Sequence, residues 1–294
     1  MRVLILGGSG YLGSKIIRQM ISENRHTIVF TKRPSSDLGR LNGFLDNRHK
    51  IKALPATIEA VETAMEYEKF DLILNMACSY GRKNMLYTNV IEANIEFPLR
   101  VLNCAVEKGI KKYLTIGTGL PDELNMYSFS KKMFSEFGRY YASYYDVDFY
   151  NMKLEMFYGA DEPRNRFIPN LIDKMLNGEE VDVTEGTQHR DIVSVNDILY
   201  AIQMVINYNL KGYNEIPVGT GVAPSISELV DFIWEETGKK SKVNKGSIPM
   251  RKNEPDCVAD VKILSSICEW HPVYWKNGIR EMIQKMRNKN EITD

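Results

Sequence analysis

With 294 residues the chain can bury a large core, either as one big domain or as two unequal ones. Lys plus Arg equals Asp plus Glu at 38 each, so no overall positive field draws the protein to nucleic acid or an anionic bilayer, and a bound anion needs a local site. The four cysteines (Cys78, Cys104, Cys257, Cys268) show no metal-ligand spacing, no apolar run reaches the ~20 residues of a membrane span, and nothing before the first strand reads as a signal peptide; together these predict a cytoplasmic protein without a structural metal.

Arg2-Val-Leu-Ile-Leu6 is a short continuous apolar run, the pattern of a parallel strand covered on both faces. Gly7-Gly-Ser-Gly10-Tyr-Leu-Gly13 follows at once, and a helix is expected from about Tyr11 to Ile21. Gly7 suits a tight turn, Gly10 lets backbone N–H groups approach a pyrophosphate, and Gly13 lets the helix pack closely on the strand. Strand, loop and helix in this order predict a dinucleotide site built from Gly7, Ser9, Gly10, Tyr11, Leu12 and Gly13. A second strand, Thr27–Phe30, ends in Thr31-Lys32-Arg33-Pro-Ser35-Ser36, where an NAD site would place an acidic residue for the ribose. A guanidinium with nearby hydroxyls suits a 2′-phosphate instead, so NADP(H) is expected over NAD(H), with Arg33 as the main contact and Thr31 and Lys32 beside it.

Further strands are expected at Lys50–Leu54, Asp71–Asn75 and Lys112–Ile116, with helices at Thr57–Tyr67 and Asn89–Lys108. This alternation argues a doubly wound, mostly parallel α/β sheet. Met76-Ala77-Cys78 would form a loop over the cofactor. Strand five runs into Gly117-Thr118-Gly119, placing a hydroxyl at the carboxyl edge of the sheet, where such folds bind ligands.

Tyr127 and Lys131 stand four residues apart where a helix should begin, so one face carries both. A phenol titrating near ~10 becomes a working proton carrier when an ammonium favours its phenolate; two unit charges ~4 Å apart at an effective dielectric of ~20 interact by ~4 kcal/mol. Thr118 to hold a reacting oxygen, Tyr127 to move its proton and Lys131 to bias Tyr127 form an acid–base constellation.

The glycine loop, Thr118/Tyr127/Lys131, Leu154-Glu-Met-Phe-Tyr158-Gly159, Arg166-Phe-Ile-Pro-Asn170 and Gln188-His-Arg190-Asp-Ile-Val-Ser-Val-Asn-Asp197 resemble the extended short-chain dehydrogenase/reductase family. The resemblance covers nearly the whole chain. It implies a Rossmann domain over residues 1–160 and a smaller α+β substrate domain over 161–294, with chain crossovers possible between them. It also implies a nucleotide-sugar substrate, with Arg190 and Arg251 on the diphosphate, Phe167, Ile168 and Asn170 lining the nucleotide pocket, and Glu254 near the sugar or ribose. Ser79, Leu154 and Glu155 complete the implied substrate set and Asn94 the cofactor set. With Asp191 and Asp197 nearby, Arg190 has a structural ion pair as its competing role.

Within the family the likeness is nearest to the CDP-abequose and CDP-paratose synthases, which reduce a 4-keto group on a CDP-linked sugar. It is carried by Ala77-Cys-Ser-Tyr-Gly-Arg-Lys83, Asn94 before Pro98-Leu-Arg-Val-Leu-Asn103, Tyr140-Tyr-Ala-Ser143, Asn151-Met-Lys-Leu-Glu155 and Thr184-Glu-Gly-Thr-Gln188. Two departures stand out. Only nine positions separate Thr118 from Tyr127, so the loop over the sugar is trimmed relative to the family. Gly119-Leu120 replace the Asp-Glu pair of the dehydratases, which argues against water elimination, although Asp122-Glu123 lies close enough to keep it open.

The expected activity is NADPH-dependent reduction of a nucleotide-linked keto sugar, at C4 and with CDP favoured. The alternatives are a C4 epimerase or dehydrogenase holding NAD tightly and a redox sensor that binds the dinucleotide without turnover. Phe134, Phe137, Tyr140, Tyr141 and Tyr144 recur on the Tyr127 helix as core and subunit interface, and the resemblance implies a homodimer through a four-helix bundle. Cys78 has the bland role of a small buried residue and the sharper one of a proton donor. Ser225 and Glu228 form a capping box for a helix to Trp234, and Lys285–Asp294 reads as a mobile charged tail.

Overall fold

Continuous apolar runs become the central strands β1 (Arg2–Leu6), β2 (Thr27–Lys32), β3 (Ile51–Pro55), β4 (Leu72–Asn75) and β5 (Lys112–Thr118). The computed structural model describes residues 1–46, 50–81, 85–251 and 254–293, with 289–293 as backbone. Arg82 and Lys83, which end the stretch quoted from Ala77, lie outside the described residues. Adding β6 (Asp148–Leu154) and β10 (Tyr213–Val218) gives a seven-stranded sheet of order β10-β6-β5-β4-β1-β2-β3. The β1–β2, β2–β3, β1–β4 and β4–β5 pairings are parallel. Val3 to Leu6 and Leu72 to Leu74 are wholly buried, as strands covered on both faces must be. The strand order reverses between β1 and β4, so the chain leaves these two strands in opposite directions and opens a crevice at their carboxyl ends.

The helices of this layer are α1 (Tyr11–Ser22), α2 (Ile58–Tyr67), α3 (Tyr87–Ile91), α4 (Phe97–Glu107) and α5 (Met126–Tyr144). The single helix expected over Asn89–Lys108 is interrupted: Glu92–Glu96 is a π-helical turn between α3 and α4. Pro98 supplies the reason. It has no N–H to give the carbonyl of Asn94 and its ring crowds that carbonyl, so the helix widens one turn earlier. Tyr113 stacks on Phe149 (5.4 Å between ring centroids, 7° between planes), with Phe134 of α5 edge-on to Phe149 at 5.8 Å. Tyr141 is half-buried against the same core, whereas Phe137, Tyr140 and Tyr144 are exposed.

The chain forms two compact units, the first comprising Met1–Thr118, Asp122–Lys153 and Tyr208–Ile216 and the second Gly119–Pro121, Leu154–Asn207 and Pro217–Asp294. Against an expected division at 160/161, Leu154 already belongs to the second unit and Tyr208–Ile216 returns to the first. The second unit holds β7 (Met156–Tyr158) paired in parallel with β9 (Ile192–Ser194), and β8 (Val181–Val183) with β11 (Val243–Lys245). Helices α6 (Phe167–Leu176), α7 (Val195–Tyr208), α8 (Ile226–Glu236), α9 (Lys262–Ile267) and α10 (Trp275–Thr293) complete the element order. The capping box forms: Ser225 Oγ accepts from Glu228 N at 3.1 Å and Glu228 Oε2 from Ser225 N at 2.7 Å. Residues 285–293 of the expected tail continue α10, and Met286 there joins Ile279, Met282 and Ile283 at helical spacing in the second unit's core. Among the described residues no helix is long and apolar enough to cross a membrane.

Candidate active site

The glycine loop leaves β1 through Gly7, whose φ of +73° lies in the left-handed region that glycine tolerates. A Cβ on Gly7 would also sit 2.8 Å from Ala77 Cα, so the loops after β1 and β4 touch at this point. Gly13 has a different reason: its Cβ would lie 2.4 Å from the Gly7 carbonyl oxygen. Gly8, to which sequence reasoning attached no role, is equally constrained, because its Cβ would fall 2.6 Å from Phe30 Cβ. Gly10 is the N-cap of α1, is exposed, and leaves that helix end without a capping side chain. Ser9, Tyr11 and Leu12 lie half-buried around it. An uncapped helix N-terminus behind a glycine turn is a fitting cradle for a pyrophosphate.

Thr31 is 1% exposed, and its Oγ1 accepts from Gly7 N at 3.0 Å while its carbonyl accepts from Gly8 N at 3.2 Å. Expected to touch cofactor, its side chain is instead a brace that shapes the loop. Lys32 is half-buried and Arg33 exposed, and Ser36 N closes a turn on the Arg33 carbonyl at 3.0 Å. The nearest carboxylate in sequence, Asp37, is engaged with Gly39 N at 2.8 Å.

Tyr127 and Lys131, expected as the acid–base pair, sit on the first two turns of α5. Asn125 caps the helix, its Oδ1 accepting from Ser128 N at 2.9 Å and Ser128 Oγ accepting from Asn125 N at 3.2 Å. This box fixes where Tyr127 emerges. The ring of Tyr80, from the loop after β4, packs on the Tyr127 ring with centroids 4.8 Å apart and planes at 37°. One turn on, Lys131 is 5% exposed and its Nζ donates to the Ala77 carbonyl at 3.4 Å. Burial pushes its ammonium below the usual lysine range, with the Cys78 thiol acting in the opposite sense. Thr118 ends β5 and lines a small polar recess together with Lys131, Ser128 and Asn151. Cys78 is exposed, not the small buried residue expected. Asp122, the nearby acid that kept elimination open, faces Lys132 at 3.7 Å.

Asn94, at the centre of the π-helical turn, ties these pieces together. Its Oδ1 accepts from Ser79 N at 2.7 Å, and its Nδ2 donates to the Ser79 carbonyl and to Ser130 Oγ, both at 2.9 Å. Ser130 Oγ in turn donates to the Tyr127 carbonyl at 2.8 Å. The loop carrying Met76, Ala77, Cys78, Ser79 and Tyr80 is thereby locked to the helical turn that carries Tyr127. Asn94 and Ser79, assigned above to cofactor and substrate, act here as this lock.

In the second unit Arg190 is 4% exposed, and its guanidinium donates to the carbonyls of His189 (2.8 Å) and Pro255 (2.6 Å) and to Glu254 Oε1 (2.6 Å). The structural ion pair thus exists, but with Glu254 rather than Asp191 or Asp197. Asp191 is taken up by Thr220, Gly221 and Ala259, and Asp197 by Val273 N. Arg251 is exposed. Of the expected pocket residues, Phe167 and Asn170 are exposed, whereas Ile168 and Leu154 are buried, Ile168 within the unit's apolar core. Glu155 lies against Gly119, where a Cβ would meet its Oε1. Nothing in the sequence pointed to Glu162, whose carboxylate pairs with Arg166 at 3.0 Å and is pushed up to about 7 by burial.

The sequence matches the NAD dependent epimerase/dehydratase family over residues 3–219. The chain belongs to this family. Its similar relatives include CDP-abequose synthase of Salmonella typhimurium, 26% identical over 97% of this chain and 98% of that protein. A putative UDP-glucose 4-epimerase of Methanocaldococcus jannaschii is 25% identical over 98% and 99%. Among solved structures, a Bacillus cereus UDP-glucuronic acid 4-epimerase in complex with UDP-glucuronic acid and NAD superposes with a TM-score of 0.85 at 17% identity, covering 98% of this chain and 99% of that one. The family's cofactor is a dinucleotide, and the uncapped, glycine-cradled N-terminus of α1 at the sheet's switch point fits one.

Proposed function

We propose that this family member is an NADPH-dependent reductase of a nucleotide-linked deoxy sugar, acting on a keto group at C4, with a CDP-linked substrate favoured. The observation that carries this reading is the joining of Tyr127 and Lys131 to the loop after β4, at the sheet edge where the glycine loop ends. Gly7 to Gly13 would hold the pyrophosphate, Arg33 the 2′-phosphate and Lys131 the ribose; bound there, the nicotinamide supplies the hydride. Tyr127 gives its proton to the carbonyl oxygen and Thr118 steadies the forming alkoxide with a hydrogen bond. In the second unit we assign the nucleotide to Phe167, Asn170, Arg190, Arg251 and Glu254. Exposed Phe137, Tyr140 and Tyr144 on α5 support a homodimer through that face.

A C4 epimerase that retains NAD is the second reading, favoured by the epimerase relatives. The test is a panel of CDP-, GDP-, UDP- and dTDP-linked 4-keto sugars incubated with NADPH, with products followed by NMR. Net conversion to an alcohol is expected, and Tyr127→Phe should abolish it while keeping cofactor affinity. Arg33→Ala should weaken NADPH about tenfold while leaving NADH unchanged, as loss of a charge-assisted contact predicts. Copurified NAD that survives gel filtration, with interconversion of two 4-hydroxy sugars and no reduction, would replace this reading with the epimerase.

A further inference from the structure

The chemistry above leaves Glu155 of the second unit without a part. It stands between β6 and β7, on backbone tied at two sides: the Leu154 carbonyl accepts from Gly119 N at 2.8 Å, and Glu155 N donates to the Val218 carbonyl at 3.0 Å. Backbone held from two directions gives a side chain the fixed origin that a recognition residue needs. The half-buried carboxylate lies flat on Gly119, where a Cβ would overlap Oε1 and Cδ and fall 2.6 Å from Oε2. The volume of a side chain at position 119 is therefore filled by a carboxylate delivered from the segment after β6.

The buried Cys257 thiol shows what else is near. Burial pushes it up, the Arg190 guanidinium pulls it down, and the carboxylates of Glu155, Glu254 and Asp256 push it up again. Glu155 thus shares one thiol's surroundings with the Arg190–Glu254 pair, which is assigned to the nucleotide. Gly119, on which its carboxylate rests, follows Thr118 in the chain, and Thr118 is assigned to the reacting oxygen. A sugar has to span this stretch between its diphosphate and its reacting carbon.

A carboxylate accepts hydrogen bonds and donates none, so it cannot hold a keto oxygen, and it repels the negative charge that grows there as hydride arrives. A hydroxyl beside that carbon is a different matter, because it donates. We propose that Glu155 is a specificity-determining residue that accepts a hydrogen bond from a hydroxyl of the substrate's sugar and so selects sugars that keep this hydroxyl over analogues that lack it. It rests on the reading that this unit binds a nucleotide sugar, and it holds for a reductase and an epimerase alike. An analogue with hydrogen at that carbon sets a desolvated carboxylate oxygen against C–H, a cost added to the lost contact.

The test is a double-mutant cycle between protein and substrate. Glu155→Ala and Glu155→Gln are compared with the parent protein on pairs of nucleotide sugars that differ by one hydroxyl, at C2, C3 or C6. For the pair carrying the recognised hydroxyl, Glu155→Ala is expected to lower kcat/KM about ten- to hundredfold, and to cost the analogue without it at most about twofold. Glu155→Gln, which keeps a neutral acceptor, should fall between the alanine variant and the parent. Equal losses across every pair, or no loss, overturn the proposal. Calorimetry gives a readout independent of turnover: the alanine variant should weaken the nucleotide sugar by about ten- to hundredfold and the free nucleoside diphosphate by at most about twofold, and equal weakening of both overturns the proposal. Should the variants fail to fold, a crystal structure of the parent protein with its nucleotide sugar decides: a sugar hydroxyl within about 3 Å of a Glu155 carboxylate oxygen supports the role, and none there overturns it. A parent protein that binds none of the CDP-, GDP-, UDP- and dTDP-linked sugars removes the nucleotide-sugar reading and this role together, whereas a parent that binds one, with no coupling to Glu155, removes the role alone.

Discussion

Replacing Asn94 by alanine tests whether the lock between the loop after β4 and α5 is what builds the site. Asn94 is 1% exposed and makes three side-chain hydrogen bonds, two to Ser79 and one to Ser130. At about 0.5–1.5 kcal/mol net for each, the loss is about 1.5–4.5 kcal/mol, and the orphaned N–H and carbonyl of Ser79 make the upper half of that range the expected one. Ser130 Oγ keeps its bond to the Tyr127 carbonyl, so α5 itself stays intact and the damage falls on the loop. That loop carries the Ala77 carbonyl bound by Lys131 and the Tyr80 ring on Tyr127, so turnover and cofactor affinity should fall with stability. Asn94→Asp keeps the acceptor but points a carboxylate at the Ser79 carbonyl, and should lose at least as much. Urea unfolding followed by tryptophan and tyrosine fluorescence, with dinucleotide titration, measures both effects. An alanine variant within about 0.5 kcal/mol of the parent that also binds cofactor equally well would refute the reasoning.

Glu162 gives a pH-dependent outcome. Burial raises its carboxyl from 4.5 to about 7, so the unfolded chain ionises it first; its contribution to stability is complete below pH 4.5 and lost as pH rises to about 7. Glu162→Gln should flatten that decline, the two proteins diverging by up to about 3 kcal/mol between pH 4.5 and 8, and parallel urea midpoints across that range would sink the assignment. Gly13→Ala places a methyl 2.4 Å from a backbone oxygen that cannot step aside, so about 1–3 kcal/mol and most dinucleotide affinity should be lost, as calorimetry can verify. Tyr80→Leu should slow turnover several-fold and Tyr80→Phe should restore it, since the ring contact with Tyr127 is worth about 0.5–1.5 kcal/mol; equal rates for both variants would count against a positioning role.

Much of the first unit was legible in the chain because its signals are local and periodic. Apolar runs marked β1 and β4, the glycine spacing marked the turn into α1, and Tyr127 and Lys131 stand one helical turn apart whatever surrounds them. Pro98 was visible too, yet only the folded helix shows that it widens the preceding turn and sets Asn94 facing Ser79 and Ser130, 15 and 36 positions away. Thr31 turning inward to brace Gly7, Arg190 meeting Glu254 64 positions away, and Asn151, Ser135, Tyr213 and Glu215 forming one chain from three separate elements left no periodic trace. Backbone conformation follows from neighbours in sequence, so glycine turns and helical spacing could be read residue by residue. Which buried polar groups meet follows from how whole elements pack, because a desolvated donor or acceptor takes whatever partner the packing brings within reach.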